Sequence, residues 1–196
     1  MCIFPLRIAE ITIFINAKGL PERGGWLTLT AMRILGIDPG LATIGLGVID
    51  ATSAHDMCVL EWLTITTTPS SLADRLMVIH TDLSAYIEEV HPDLAVVEKL
   101  FFQTNEKTAL DVAHARGCIL LTLAEHGIPY IEPTPLQLKS SITGDGRAVK
   151  KQMQNMIVSM LNLTEIPEPD DAADALALAA YGALHAAREA MVIAAT

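Results

Sequence analysis

Apolar and polar positions change period several times along this chain, and each change predicts an element. Residues 34–38 (ILGID), 42–50 (ATIGLGVID) and 58–67 (CVLEWLTITT) are short apolar runs, and they predict three strands. Pro39-Gly40 predicts a tight turn between the first two. From 72 to 90 the period lengthens: Leu72, Leu76, Ile79, Leu83, Tyr86, Ile87 and Val90 form a helical stripe that Pro92 ends. LAVVE at 94–98 predicts a short buried strand, and residues 104–126 a long helix stopped by Gly127-Ile128-Pro129. Tyr130-Ile131 supplies a last short strand. Two helices are expected at 135–141 and 148–161, and a final one runs from Asp170 to about Ala190, after Pro167 and Pro169.

Three meandering strands followed by strand–helix alternation indicate an α/β layer fold with a mixed central sheet. Residues 1–31 lie outside the pattern, and Met32 immediately precedes the first strong strand. The expected organisation is therefore an N-terminal extension at 1–31, disordered or a mis-assigned start, a domain over 32–190, and a short tail at 191–196.

Composition narrows the class. The chain of 196 residues is 51% hydrophobic and 18% charged, which suits one globular domain with a proper core. No apolar run of membrane-spanning length is free of charges or breaks. Arg7 and Glu10 interrupt the apolar first seventeen residues, so no signal peptide is expected. Cys2, Cys58 and Cys118 have no paired spacing and suggest reduced core thiols of a cytoplasmic protein. The six histidines show no metal-ligand spacing, and no zinc role is expected.

A net charge of −10 argues at first against nucleic acid, but its distribution is uneven. Residues 32–98 carry two basic and ten acidic groups, residues 99–151 seven and five, and residues 152–196 one and six. Lys139, Arg147, Lys150 and Lys151 fall within thirteen positions of the middle segment, a patch able to meet phosphate even on an acidic molecule.

The acidic residues carry the chemistry. Asp38 closes the first strand, Glu98 closes LAVVE, and Asp171 and Asp174 lie in the first turn of the last helix. A charge ending a buried apolar strand needs a partner. Neighbouring strands bring their ends together, and helix positions three apart share a face, so four carboxylates from three elements can meet at one sheet edge. Their repulsion is relieved by divalent cations, and all-oxygen ligands suit Mg²⁺ or Mn²⁺. Two such ions, ~4 Å apart, serve both the attacking and the leaving oxygen of a phosphodiester. Spacing alone leaves Asp170 or Asp171 open as the partner of Asp174.

GIDPG at 36–40, VVEKLFF at 96–102, GDGRAVKKQM at 144–153 and DAADALALA at 171–179 together resemble the RuvC crossover junction endodeoxyribonucleases, bacterial Holliday junction resolvases of ribonuclease H-like fold. The resemblance runs from Arg33 to about His185. It implies that Asp38, Glu98, Asp171 and Asp174 are the catalytic, metal-binding carboxylates, with Asp170 as the helix N-cap. It places Lys139 and Lys150 beside a phosphate, and Phe101, or else Phe102, against unstacked bases at the junction centre. Lys151 and Arg147 complete the expected DNA-binding set. Implied too are two Mg²⁺ ions (Mn²⁺ substituting) per site, paired symmetric nicks in a four-way DNA junction, and roles in recombination and repair in the bacterial cytoplasm. Partners would be a second copy in a homodimer, joined through the 104–126 helix, and a branch-migration helicase. The glycines Gly40, Gly45 and Gly47 are expected to form a tight turn and let the backbone approach DNA.

Rival readings start from the same residues. D-x-G-x-x-x-x-G, from Asp38 to Gly45, also resembles the phosphate-binding hairpin of actin-like ATPases and sugar kinases, although no second copy follows. A silent junction-binding module would tolerate loss of the acids. A related ribonuclease H-like nuclease on other branched nucleic acid shares the motifs.

Overall fold

The computed structural model describes residues 31–99 and 106–194, and the side chains within these spans except those of 106–108 and 188–194. The expected N-terminal extension at 1–31 and the aromatic pair Phe101 and Phe102 therefore lie outside the described residues, apart from Ala31. A compact unit spans Met32–Thr196.

Its sheet has five strands in the order β3-β2-β1-β4-β5. β1 (Met32–Asp38), β2 (Thr43–Ser53) and β3 (Asp56–Thr66) form an antiparallel meander, while β4 (Leu94–Val97) and β5 (Tyr130–Ile131) add in parallel beyond β1. The central strands are covered on both faces, which is why Ile34, Leu35, Ile37, Ile44, Leu46 and Ile49 are fully buried and show little alternation. β3, at the edge, mostly alternates exposed positions with half-buried or buried ones instead.

α1 (Leu72–Val90) begins at the Ser71 cap, whose hydroxyl accepts from the Asp74 N–H, and ends in a left-handed His91. It packs with α2 (Glu106–Glu125) on one face, where Ile79, Leu83, Ile119 and Leu123 meet Leu35, Ile37 and Val97. α3 (Pro135–Thr143), α4 (Lys150–Met160) and α5 (Asp170–Ala194) cover the other face, where Leu138, Ile157 and Leu176 meet Ile34, Ile49 and Val96. The sheet is thus mixed, as the strand–helix pattern predicts, and helices flank it on both faces. No described helix is long and apolar enough to cross a membrane.

The way α5 lies on the sheet fixes the site. A Cβ on Gly36 would stand 1.9 Å from the Ala175 carbonyl oxygen, and one on Gly45 1.9 Å from that of Asp171. Only glycine lets the helix backbone approach so closely. This corrects the expectation that Gly45 and Gly47 face DNA: both lie beneath α5, where a Gly47 Cβ would meet the Leu176 nitrogen at 2.8 Å. Gly40 does keep its turn, since a Cβ there would stand 2.2 Å from the Thr43 carbonyl oxygen. A second correction concerns thiols: Cys58 is exposed on the edge strand, and Cys118 is half-buried with Sγ donating to the Leu76 carbonyl at 3.3 Å.

Candidate active site

β1 and β4 run parallel in a register that pairs Ile37 with Val97. One residue further on, Asp38 and Glu98 stand side by side at the C-terminal ends of these strands, and strand alternation turns both toward α5. Across the hairpin Asp38 pairs with Gly45, over which the Asp171 carbonyl sits. The first turn of α5 is thereby laid against the strand that ends in Asp38. Three separate elements deliver acids to one corner because the glycines leave room for α5 there.

Asp38, Glu98 and Asp174 line one pocket of about 240 Å³, together with Lys139 from α3 and Lys150 from α4; Leu138 and Met153 supply apolar wall. The Lys150 Nζ lies 3.2 Å from Asp174 Oδ2 and 3.2 Å from Asp170 Oδ2. Burial raises the Asp38 carboxyl to about 7, reinforced by the charges of Asp174, Glu98 and Asp171, with Lys150 acting against them. Glu98 is raised by burial and by Asp174, and lowered by Lys139. Asp174 is also raised, chiefly by burial, although Lys150 opposes the shift. The corner therefore concentrates negative charge in a place where water screens it poorly.

Among the described residues, no three Asp, Glu, His or Cys side chains are drawn into a ready-made metal cage. The acids share a pocket but do not close a coordination sphere, as expected of mutually repelling carboxylates with an ammonium lodged on one of them. The donor set nevertheless fits a hard dication: it offers only oxygens, and a carboxyl raised to about 7 by burial and by its acidic neighbours is relieved by positive charge.

Asp171 adds to the electrostatic load on Asp38, whereas the Asp170 carboxylate points to α4, where Gln154 Nε2 donates to its Oδ1 at 3.1 Å. The expected N-cap role of Asp170 is corrected accordingly. Asp170 is the first residue of α5, and the Pro169 carbonyl accepts from the Ala172 and Ala173 N–H groups. Arg147 and Lys151 are exposed and do not line the pocket; the Arg147 N–H donates to Asp145 Oδ1 at 2.9 Å in the loop before α4. Two supporting residues escaped the sequence reading. The Trp62 indole N–H on β3 donates to the Glu168 carbonyl at 3.3 Å, tying the entry of α5 to the sheet. Thr67 Oγ1 donates to the Leu41 carbonyl at 2.7 Å and accepts from Arg75 Nε at 2.8 Å, bracing the loop that follows Asp38. The Trp62–Glu168 and Thr67–Leu41 contacts have no local sequence signature, since each joins residues far apart in the chain.

Comparison with known proteins gives a concordant result. The family model described as crossover junction endodeoxyribonuclease RuvC matches residues 34–181. A protein of that name from Alkaliphilus oremlandii is 50% identical over 150 residues, covering 76% of this chain and 90% of the relative. Its counterpart from Caldicellulosiruptor saccharolyticus is 46% identical over 149 residues, with the same 76% and 90% coverage. Among solved structures, T. thermophilus RuvC in complex with Holliday junction substrate superposes with a TM-score of 0.76 at 32% identity, covering 81% of this chain and 96% of that one.

Proposed function

The chain belongs to the crossover junction endodeoxyribonuclease RuvC family, and from that premise we propose that it resolves four-way DNA junctions by metal-dependent hydrolysis at the Asp38–Glu98–Asp174 pocket. It is a nuclease of ribonuclease H-like fold, acting on DNA phosphodiester bonds. The observation that carries the assignment of the site is the convergence of acids from β1, β4 and α5 with Lys139 and Lys150 in one pocket.

Asp38, Glu98 and Asp174, with Asp171 beside them, would hold two Mg²⁺ or Mn²⁺ ions. Bound there, the ions supply a lowered pKa for the attacking water and stabilisation of the leaving 3′-oxygen. The remaining chemistry is the chain's own. Lys139 and Lys150 bring positive charge to a phosphate whose other surroundings are acidic. Asp38, held near 7, must give up its proton before it can act as a ligand, so ion binding strengthens as pH rises through that value. Water adds to phosphorus, the bond to the 3′-oxygen breaks, and the products are a 5′-phosphate and a 3′-hydroxyl. Phe101 stacks on unpaired bases in this reading, and Arg147 and Lys151 contact the backbone further from the cut.

A four-way junction has two-fold symmetry, which calls for a two-fold dimer to make paired nicks. α2 presents Leu110 (67% exposed) and Leu121 (56% exposed) one face apart from its buried Ala115 and Ile119, with Gly117 between them, a surface suited to a second copy. Action in recombination and repair, in the bacterial cytoplasm and beside a branch-migration helicase, completes the proposal. The actin-like alternative gains no comparable support, since the RuvC match includes the Asp38–Gly45 hairpin on which it was based.

The test is a synthetic four-way junction incubated with the protein, with and without Mg²⁺. Asp38→Asn, Glu98→Gln and Asp174→Asn each abolish cutting while junction binding persists. Cutting that survives any one of these changes removes that residue from the site, and junction cleavage without divalent ions overturns the metal reading.

A further inference from the structure

Lys150 makes two ion pairs of equal length, and only one of them involves an acid of the pocket. Its Nζ is 3.2 Å from Asp174 Oδ2 and 3.2 Å from Asp170 Oδ2. Asp170 does not line the pocket, and its orientation is fixed from the same helix: Gln154, one turn after Lys150 on α4, donates to Asp170 Oδ1 at 3.1 Å. The two carboxylate oxygens of Asp170 thus accept from two side chains on one face of α4. If a divalent ion takes Asp174, Lys150 loses that partner, and an ammonium at the mouth of a cationic site would otherwise be repelled from it.

We infer that Asp170 is a positioning residue which retains Lys150 at the mouth of the pocket when a metal ion replaces the ammonium on Asp174. Asp170 ligates neither metal nor substrate. It gives the displaced ammonium a partner already in contact, so the exchange at Asp174 requires no free lysine, and it keeps the positive charge where a phosphate arrives. The inference rests on the metal reading of the pocket proposed above.

The test is a double-substitution cycle on the full chain, read by Mn²⁺ titration without DNA. Asp170→Asn weakens Mn²⁺ binding about threefold when Lys150 is present, the scale of one exposed ion pair. In the Lys150→Met background the same change costs less than ~1.5-fold, because no ammonium remains to be held. Asp170→Glu, which keeps the carboxylate, restores binding to within ~1.5-fold of the starting protein. Equal losses in the two backgrounds overturn the inference, since Asp170 would then act only as a distant charge. The unsubstituted chain separates the two claims. Failure of that chain to bind Mn²⁺ sinks the metal reading and the inference with it. Saturable binding combined with an additive cycle sinks the inference alone.

Discussion

Replacing Asp38 by asparagine is expected to stabilise the metal-free protein while destroying its activity. Asp38 ionises near 7 in the folded chain and near 3.8 ordinarily, because it is buried and faces Asp174, Glu98 and Asp171. Between those two values the folded state holds a proton that the unfolded state has released, so stability falls as pH rises, by about 1.4 kcal/mol per pH unit. Below 3.8 the group contributes nothing, and above about 7 its full penalty applies, an upper bound of roughly 4 kcal/mol. Partial solvent access screens the repulsion and reduces the expected figure to ~2–3 kcal/mol. Urea unfolding in EDTA at pH 8 should therefore show Asp38→Asn more stable than the unsubstituted protein by ~2–3 kcal/mol, with the gap shrinking to ~1 kcal/mol or less at pH 4.5. Adding Mn²⁺ at pH 8 should stabilise the unsubstituted protein and leave the variant little changed. A variant that is equally or less stable at pH 8, or a difference independent of pH, refutes the electrostatic account of this corner.

Three further outcomes test other parts of the structure. Gly45→Ala drives a Cβ into the Asp171 carbonyl, so it should lower stability by ~1–3 kcal/mol in thermal melts and reduce junction cutting. Lys139→Met removes the cation that lowers Glu98, so Glu98 moves further up and the acidic limb of the pH–rate profile should shift to higher pH; an unmoved limb would show that Lys139 acts elsewhere. Thr67→Val deletes the hydroxyl between Arg75 and the Leu41 carbonyl and should cost ~1–2 kcal/mol in urea unfolding, while Thr67→Ser retains most of it.

Period and punctuation along the chain were enough for the succession of elements and the α/β class. The stripe from Leu72 to Val90 is the observed α1 without a shift at either end, because cap, periodicity and terminating proline agree locally. Some strand boundaries held, as for Tyr130-Ile131, and others moved by up to three residues, since hydrogen bonding to a neighbour decides where a strand stops. The acids were legible because a charge closing an apolar strand is costly without a reason. Spacing alone left Asp170 and Asp171 open, since both fit a first helical turn; the family motif favoured Asp171, and in the structure Asp170 turns to α4 while the Asp171 carbonyl lies over Gly45. The glycines misled for a related reason, as a missing Cβ announces close approach but not what approaches.

Short-range pattern thus determined the elements and their α/β class, and the cost of burying charge singled out Asp38 and Glu98, while the family motif supplied Asp171 and Asp174. Tertiary structure decided which acids face the pocket, which lysines reach it, and that Arg147 and Lys151 do not. Those outcomes depend on helix rotation and on contacts between residues as far apart as Trp62 and Glu168, and no local period along a chain records such distances.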